Sequence, residues 1–172
     1  DDQFDASLTP TGWKQVVERG KQIRQSGLFD KVDLVVVSPM TRTLQTAAGV
    51  FGGGDVYHDD SSEPLIMVNG VGKTPYPGGT ISSHGSPPFV ANELCREHIG
   101  TSRADHRRDI SVYKAQFPGV DFSLTKDNED VLWRPDVSET NDEIHQRIKE
   151  FLQWLLSREE KEIAVVSHCG FL

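Results

Sequence analysis

Leu34-Val35-Val36-Val37-Ser38-Pro39-Met40-Thr41-Arg42 is the stretch on which the architecture turns. Its first four residues are apolar, mostly β-branched and without alternation, the pattern of a strand buried on both faces of a parallel sheet. Ser38-Pro39 reads as the cap and first position of a helix. Met40, Leu44, Ala47, Ala48 and Phe51 would form that helix's apolar stripe, and Gly52-Gly53-Gly54 would stop it. A buried strand running straight into a helix is the building unit of an α/β layered domain.

The same unit recurs on either side. Upstream, Leu8 to Gly27 predicts a helix, with Thr9 as N-cap, Pro10 at the first helical position and Gly27 at the end. Trp13, Val16, Val17 and Ile23 fall on one face of it. Far downstream, Thr140 and Glu143 form a capping box, and Ile144, Ile148, Phe151, Leu152 and Leu155 line the buried face of the helix it opens. Ile163-Ala164-Val165-Val166 is then a second buried strand, ending at Ser167-His168-Cys169-Gly170. Between these lie an Asp- and Ser-rich loop, a short strand at Leu65–Val68, and a mixed, charged region that is partly helical from Asp105 to Phe117. Asn69 to Pro88, rich in Gly, Pro and Ser, supports two readings: a functional loop or lid, or a disordered insertion. Strands separated by helices make a single domain over residues 1–172, a three-layer α/β/α sandwich with a largely parallel central sheet.

Composition narrows the function. The 172 residues carry 18 Lys plus Arg against 26 Asp plus Glu, a formal net charge of -8. Nucleic-acid binding needs the opposite sign to neutralise backbone phosphates. A small phosphate ester is still a fitting ligand, provided a few arginines are focused in one cleft. No apolar run reaches the roughly 20 residues of a membrane helix, so no membrane partner is expected. The two cysteines, Cys95 and Cys169, form no disulfide framework and suit a reducing compartment such as the cytoplasm. No targeting signal is visible in the sequence, which opens at Asp1.

In α/β sheets, ligands bind beyond the carboxyl ends of the strands, and two segments fall there. Ser38 to Ala47 places Arg42 in a first helical turn, an unfavourable place for a cation unless an anion offsets it. A solvated surface arginine is the competing reading. The second segment puts His168 at the tip of the last strand, where a satisfied core histidine is the competing reading.

Taken jointly, these segments resemble the histidine phosphatase superfamily. Its strand-end S-P-x-x-R-x-x-Q-T-A matches Ser38–Ala47, its later [ST]-H-x-G-F-L matches Ser167–Leu172, and its L-T-x-x-G matches Leu8–Gly12. Glu93-Leu94-Cys95-Arg96-Glu97-His98-Ile99-Gly100 and Asp130-Val131-Leu132-Trp133 resemble stretches of the plant phosphoglycerate-mutase-like subgroup. The resemblance implies a phosphoglycerate-mutase-like fold and phosphoryl transfer through a phosphohistidine, on a small phosphorylated metabolite, with no metal or other cofactor. It implies that Arg42 and His168 bind the phosphoryl oxygens. It places a proton-donating carboxylic acid at Glu97, with Glu93 as the fallback. The family's nucleophilic histidine sits in an Arg-His motif before Leu8, and no such pair is present there. The chain is therefore expected to be truncated at both ends, without its first strand and closing helix, and inactive as it stands.

Other readings compete. His168-Cys169 also resembles the start of the H-C-x5-R loop of cysteine-dependent phosphatases, with Cys169 as nucleophile. A non-catalytic phosphate-binding module of the same fold would carry the same arginine and histidine. Cys95, His98 and His106 could be drawn together as metal ligands, but their spacing matches no common zinc pattern. His58, His84 and His145 read as solvated. Arg107 and Arg108 could meet a second anionic group, although a surface position is the expectation. Hydrolysis is expected over mutase action, because a mutase must hold the phosphoryl group and reposition the same substrate.

Overall fold

A computed structural model describes residues 4–53 and 64–172. Helix α1 (Pro10–Gln25) opens on Thr9, whose hydroxyl accepts from Gly12 N, with proline at the first position as expected. After it come β1 (Leu34–Val37), α2 (Thr41–Phe51), β2 (Leu65–Met67), β3 (Ile81–Ser82) and β4 (Phe89–Ala91). The chain continues through α3 (Ile110–Gln116), β5 (Val120–Asp121), α4 (Asn141–Leu156) and β6 (Ile163–Val166).

The main sheet has the order β5-β4-β1-β6, and every pairing in it is parallel. β1 lies inside the sheet with all four residues buried, and its alternation sorts the core into two layers. Val35 and Val37 face a core shared with Trp13 and Val16 of α1, Leu44 and Ala48 of α2, and Tyr113 of α3. Leu34 and Val36 face a second core with Val90, Cys95, Phe151 of α4 and Phe171. Helices on both faces of a parallel sheet make the three-layer α/β/α arrangement. α1 and α2 pack directly on one another because both are bare at the crossing. A β-carbon on Gly49 would meet Val16 Cγ1 at 2.4 Å, and one on Gly20 would meet the Gly49 carbonyl oxygen at 3.0 Å.

Several expectations need correction. β6 is half-buried throughout, because among the described residues it has one strand neighbour, β1, and stands at the sheet edge. On α4 the capping box is present, but Leu152 is exposed, and the polar Arg147 occupies the buried face beside Ile144 and Phe151. The strand near Leu65 pairs antiparallel with β3 in a separate two-stranded sheet. Residues 69–88 therefore contain a strand, and they are tied to the helices. Trp13 Nε1 donates to Thr74 O at 2.8 Å and Gln45 Nε2 to Val71 O at 3.0 Å. Gly54 and His58 lie outside the described residues.

The register brings three strand ends together. Val37 is level with Ala91 of β4 and with Val166 of β6. Just beyond, Asn92 N donates to Val37 O and Ser38 N to Val166 O, each at 3.0 Å. Three loops thus leave the sheet side by side.

Candidate active site

Ser38, the first residue beyond β1, is fully buried and its Oγ lies 2.8 Å from His168 Nε2 beyond β6. That contact corrects the expected helix start. Ser38 turns its hydroxyl to His168 and does not cap α2, which begins at Thr41 after an N-cap, Met40, that makes no side-chain capping bond. Asp5 caps it from outside: its carboxylate accepts from Thr41 N at 2.8 Å and from the Thr41 hydroxyl. Asp5 is buried, and its φ of 43° is the single positive value at a non-glycine among the described residues. Sequence reasoning missed it, since a lone Asp near the chain start gives no periodic or motif signal.

Arg42 therefore occupies the first turn of α2, as expected. Its Nη1 donates to Ala104 O at 2.9 Å, its one side-chain hydrogen bond among the described residues. The rest of the fork remains available to an anion. His168 is 7% exposed. Burial, and then the charges of Arg42, Arg96 and Arg147, push its pKa down to about 3. At neutral pH it is an uncharged imidazole close to a guanidinium, with one ring nitrogen able to donate.

The third loop, beyond β4, makes a 3-10 turn at Glu93–Cys95. It is stitched to the His168 loop by Ser167 Oγ, which donates to Cys95 O at 2.7 Å. Glu97 follows, half-buried, and its Oε1 accepts from His98 N at 3.0 Å. The same oxygen lies against Gly170, 2.5 Å from where a β-carbon would stand. Arg42, His168 and Glu97, singled out separately in the sequence, thus converge on one end of the sheet.

No family model matches the chain, and no solved structure matches it. Curated relatives do. A phosphoglycerate mutase-like protein of Arabidopsis thaliana is 48% identical over 172 residues, covering 100% of this chain and 62% of its own length. Phosphoglycerate mutase-like protein 1 of the same plant is 51% identical over 171 residues, covering 99% and 60%. Phosphoglycerate mutase-like protein 2 is 43% identical over 197 residues, covering 100% and 57%. Similarity at 43–51% identity over nearly the whole chain to proteins named phosphoglycerate mutase-like supports an assignment to the histidine phosphatase superfamily. The chain spans 57–62% of the length of these three relatives.

Other residues of the chain serve the site's framework. Gln45 is fully buried and accepts from Leu8 N at 2.8 Å, tying two of the motif segments together. Glu93, the fallback acid, has both oxygens committed: Oε2 to Arg96 at 3.0 Å and Oε1 to Arg107 at 2.7 Å. Arg96 also holds Asp130 through both oxygens, at 2.8 and 2.7 Å. Burial would raise the Asp130 carboxyl, but these bonds and the Arg96 charge outweigh it and hold the pKa at about 2. Arg107 is not at the surface as expected. It is 2% exposed, and besides Glu93 it satisfies four backbone carbonyls from Arg108 and Asp127 to Glu129. Arg108 is partly exposed and donates to Asp5 at 3.0 Å.

The drawn-together metal reading does not form. Among the described residues no three of His, Cys, Asp and Glu gather where they could hold an ion. Cys95 is buried, which pushes its thiol up to about 12. The His98 ring meets Glu139 O at 2.7 Å, and His106 stacks on Trp133 at 4.3 Å. His84 and His145 are exposed, as is Cys169.

Proposed function

We propose that the full-length protein is a phosphatase acting on a small phosphate monoester through a phosphohistidine intermediate. The observation that carries this reading is the convergence of Arg42, His168 and Glu97 at the carboxyl ends of three adjacent strands. Arg42 fits a phosphoryl group because its fork can donate in parallel to two oxygens. His168 adds a donor from a dry position, where charge developing in the transition state is stabilised most. Incoming dianionic phosphate would counter the Arg42 charge that helps hold the imidazole neutral, so binding should favour proton uptake by His168.

Glu97 supplies the proton. A nucleophilic histidine attacks phosphorus, the P–O bond to the alkoxide breaks, and the leaving oxygen takes the Glu97 carboxyl proton. Water then attacks the phosphohistidine, returning a proton to the Glu97 carboxylate and releasing inorganic phosphate. No Arg-His dipeptide occurs in the 172 residues, so on this mechanism the attacking histidine comes from elsewhere in the full-length protein. Glu93 is set aside as the acid because Arg96 and Arg107 occupy its carboxylate. Hydrolysis is proposed over mutase action because repositioning one substrate demands a closed pocket around the retained phosphoryl group.

The partner is thus a small phosphorylated metabolite, and the proposed compartment is the cytoplasm. No helix among the described residues is long and apolar enough to cross a membrane. The deciding experiment is to trap the full-length protein with a labelled phosphate ester. A phosphoenzyme labile to acid and stable to base supports the reading. A phosphoenzyme with the reverse stability, or turnover abolished by a thiol alkylator, refutes it.

A further inference from the structure

We infer that Arg147, paired with Glu139, is a positioning residue that fixes the carboxyl group of Glu97 for proton transfer. The inference rests on the proposed role of Glu97 and concerns what holds that side chain still. Arg147 is buried on α4. Its five N–H groups all find acceptors, three on one turn of backbone and two on the Glu139 carboxylate. Nη1 donates to Leu94 O at 2.9 Å and Arg96 O at 2.8 Å, and Nη2 to Glu97 O at 3.0 Å. Nε and Nη2 also reach the two Glu139 oxygens, each at 2.7 Å.

Glu139 secures the other side of the same turn. Its Oε2 accepts from Ile99 N at 3.1 Å, its carbonyl meets His98 Nε2 at 2.7 Å, and its N–H donates to Ile99 O at 2.8 Å. One ion pair therefore fastens the backbone both before and after Glu97. The guanidinium also lies over the Phe171 ring, 5.2 Å from its centroid. Phe171 follows Gly170, the residue against which the Glu97 carboxylate rests. The same cation thus braces the segment that bears the carboxylate and the wall it leans on. Burying a guanidinium is costly unless all of its donors are met, and here three are spent on this turn and two on Glu139. A lysine has three donors and no planar fork, so it cannot reproduce the arrangement.

The test compares two substrates on the full-length protein: an alkyl phosphate, whose leaving group needs a proton, and 2,4-dinitrophenyl phosphate, whose leaving group does not. Glu97→Gln is the reference. It should lose kcat/KM, which reports phosphoryl transfer to the enzyme and not the later attack of water, by roughly 100-fold or more on the alkyl ester, with little loss on the aryl ester, as expected for general-acid catalysis. Arg147→Lys and Glu139→Gln should show the same selective loss at about 10-fold, because a misplaced acid is a weakened acid. Equal losses on both esters, or none, overturn the positioning role. If Arg147→Lys does not fold, Glu139→Gln decides, and failure of both to fold assigns the pair to stability alone and overturns the inference. A Glu97→Gln protein without selective loss instead refutes Glu97 as the acid, and the positioning role falls with it.

Discussion

Glu97 Oε1 occupies the space beside Gly170 that any larger residue would need, 2.5 Å from the site of its absent β-carbon. Two residues separate in sequence are thereby locked into one another's choice. Glycine at 170 lets the carboxylate rest against the loop that carries His168.

Gly170→Ala should accordingly fold, because the atom displaced is the tip of a flexible side chain. It should also move the carboxyl group. A shift on the order of 1 Å at a catalytic group can cost about 100-fold in rate, so kcat on an alkyl phosphate should fall by roughly 10- to 100-fold. The melting temperature should change little. Unaltered kcat would detach the Glu97 carboxyl from the chemistry.

His168→Ala and Arg42→Lys should each fail in the full-length protein. Loss of a preorganised donor to developing charge costs about 2.7–4 kcal/mol, or about 100- to 1,000-fold in kcat. The Arg42→Lys change is the sharper one, since an ammonium retains the charge and loses the parallel pair of hydrogen bonds. Steady-state kcat/KM on a phosphate ester measures both. Near-normal values for Arg42→Lys would return Arg42 to the surface-residue reading.

What was legible in the sequence is what local chemistry dictates. The run Leu34–Val37, the Thr9-Pro10 start of α1 and the Thr140–Glu143 box each specify an element from within a few residues, and each appears in place. β4 and β5 were not foreseen. They have three and two residues, too short for periodicity, and they are strands because β1 and then β4 pair with them. The site followed the same division. Arg42, Glu97 and His168 sit in motif segments, whereas Asp5, Glu139 and Arg147 act through partners 36, 40 and 50 positions away. Ser38 misled for the same reason: a serine before proline looks like a cap until a histidine 130 residues on claims its hydroxyl.

The buried imidazole makes stability depend on pH in a defined window. His168 titrates near 6.5 when unfolded and about 3 when folded. The folded form is therefore the one that resists protonation. Its contribution is complete above pH 6.5 and is lost progressively as pH falls from 6.5 towards 3, while the unfolded chain takes up a proton the folded chain refuses. His168→Asn should remove up to ~1.4 kcal/mol per pH unit from the slope of unfolding free energy between those limits. Urea titrations at pH 7 and pH 5 in oxyanion-free buffer measure it. Identical slopes for parent and variant would mean the imidazole is already charged in the fold.

Asp130→Asn tests the Arg96 anchor. The carboxylate sits at about 2 in the fold against about 3.9 unfolded, so its contribution is present above pH 3.9 and is lost as pH falls from there towards 2. Removing one partner of a buried pair costs about 3–5 kcal/mol. Glu93 still faces Arg96, which places the expected loss at the lower end. Chemical denaturation at pH 7 would register it, and a change below about 0.5 kcal/mol, the range of ordinary surface substitutions, would count against the anchor.

Residues 1–172 expressed by themselves should bind an oxyanion and not turn it over. In the proposed mechanism Arg42 and His168 furnish charge and a donor and Glu97 furnishes a proton, but none of them attacks phosphorus. Covalent catalysis needs a nucleophile with its own activation, and the sequence contains no Arg-His dipeptide to supply the family's. The measurement is paired: vanadate or phosphate binding by calorimetry, and hydrolysis of an aryl phosphate, each on these residues alone and on the full-length protein. Binding should be weak, should fall in Arg42→Lys, and should occur without hydrolysis. Turnover by the 172 residues comparable to that of the full-length protein would place the attacking group within them. Cys169, exposed directly after His168, would then be the first residue to replace, and loss of that turnover in Cys169→Ser would exchange the phosphohistidine mechanism for a thiolate one.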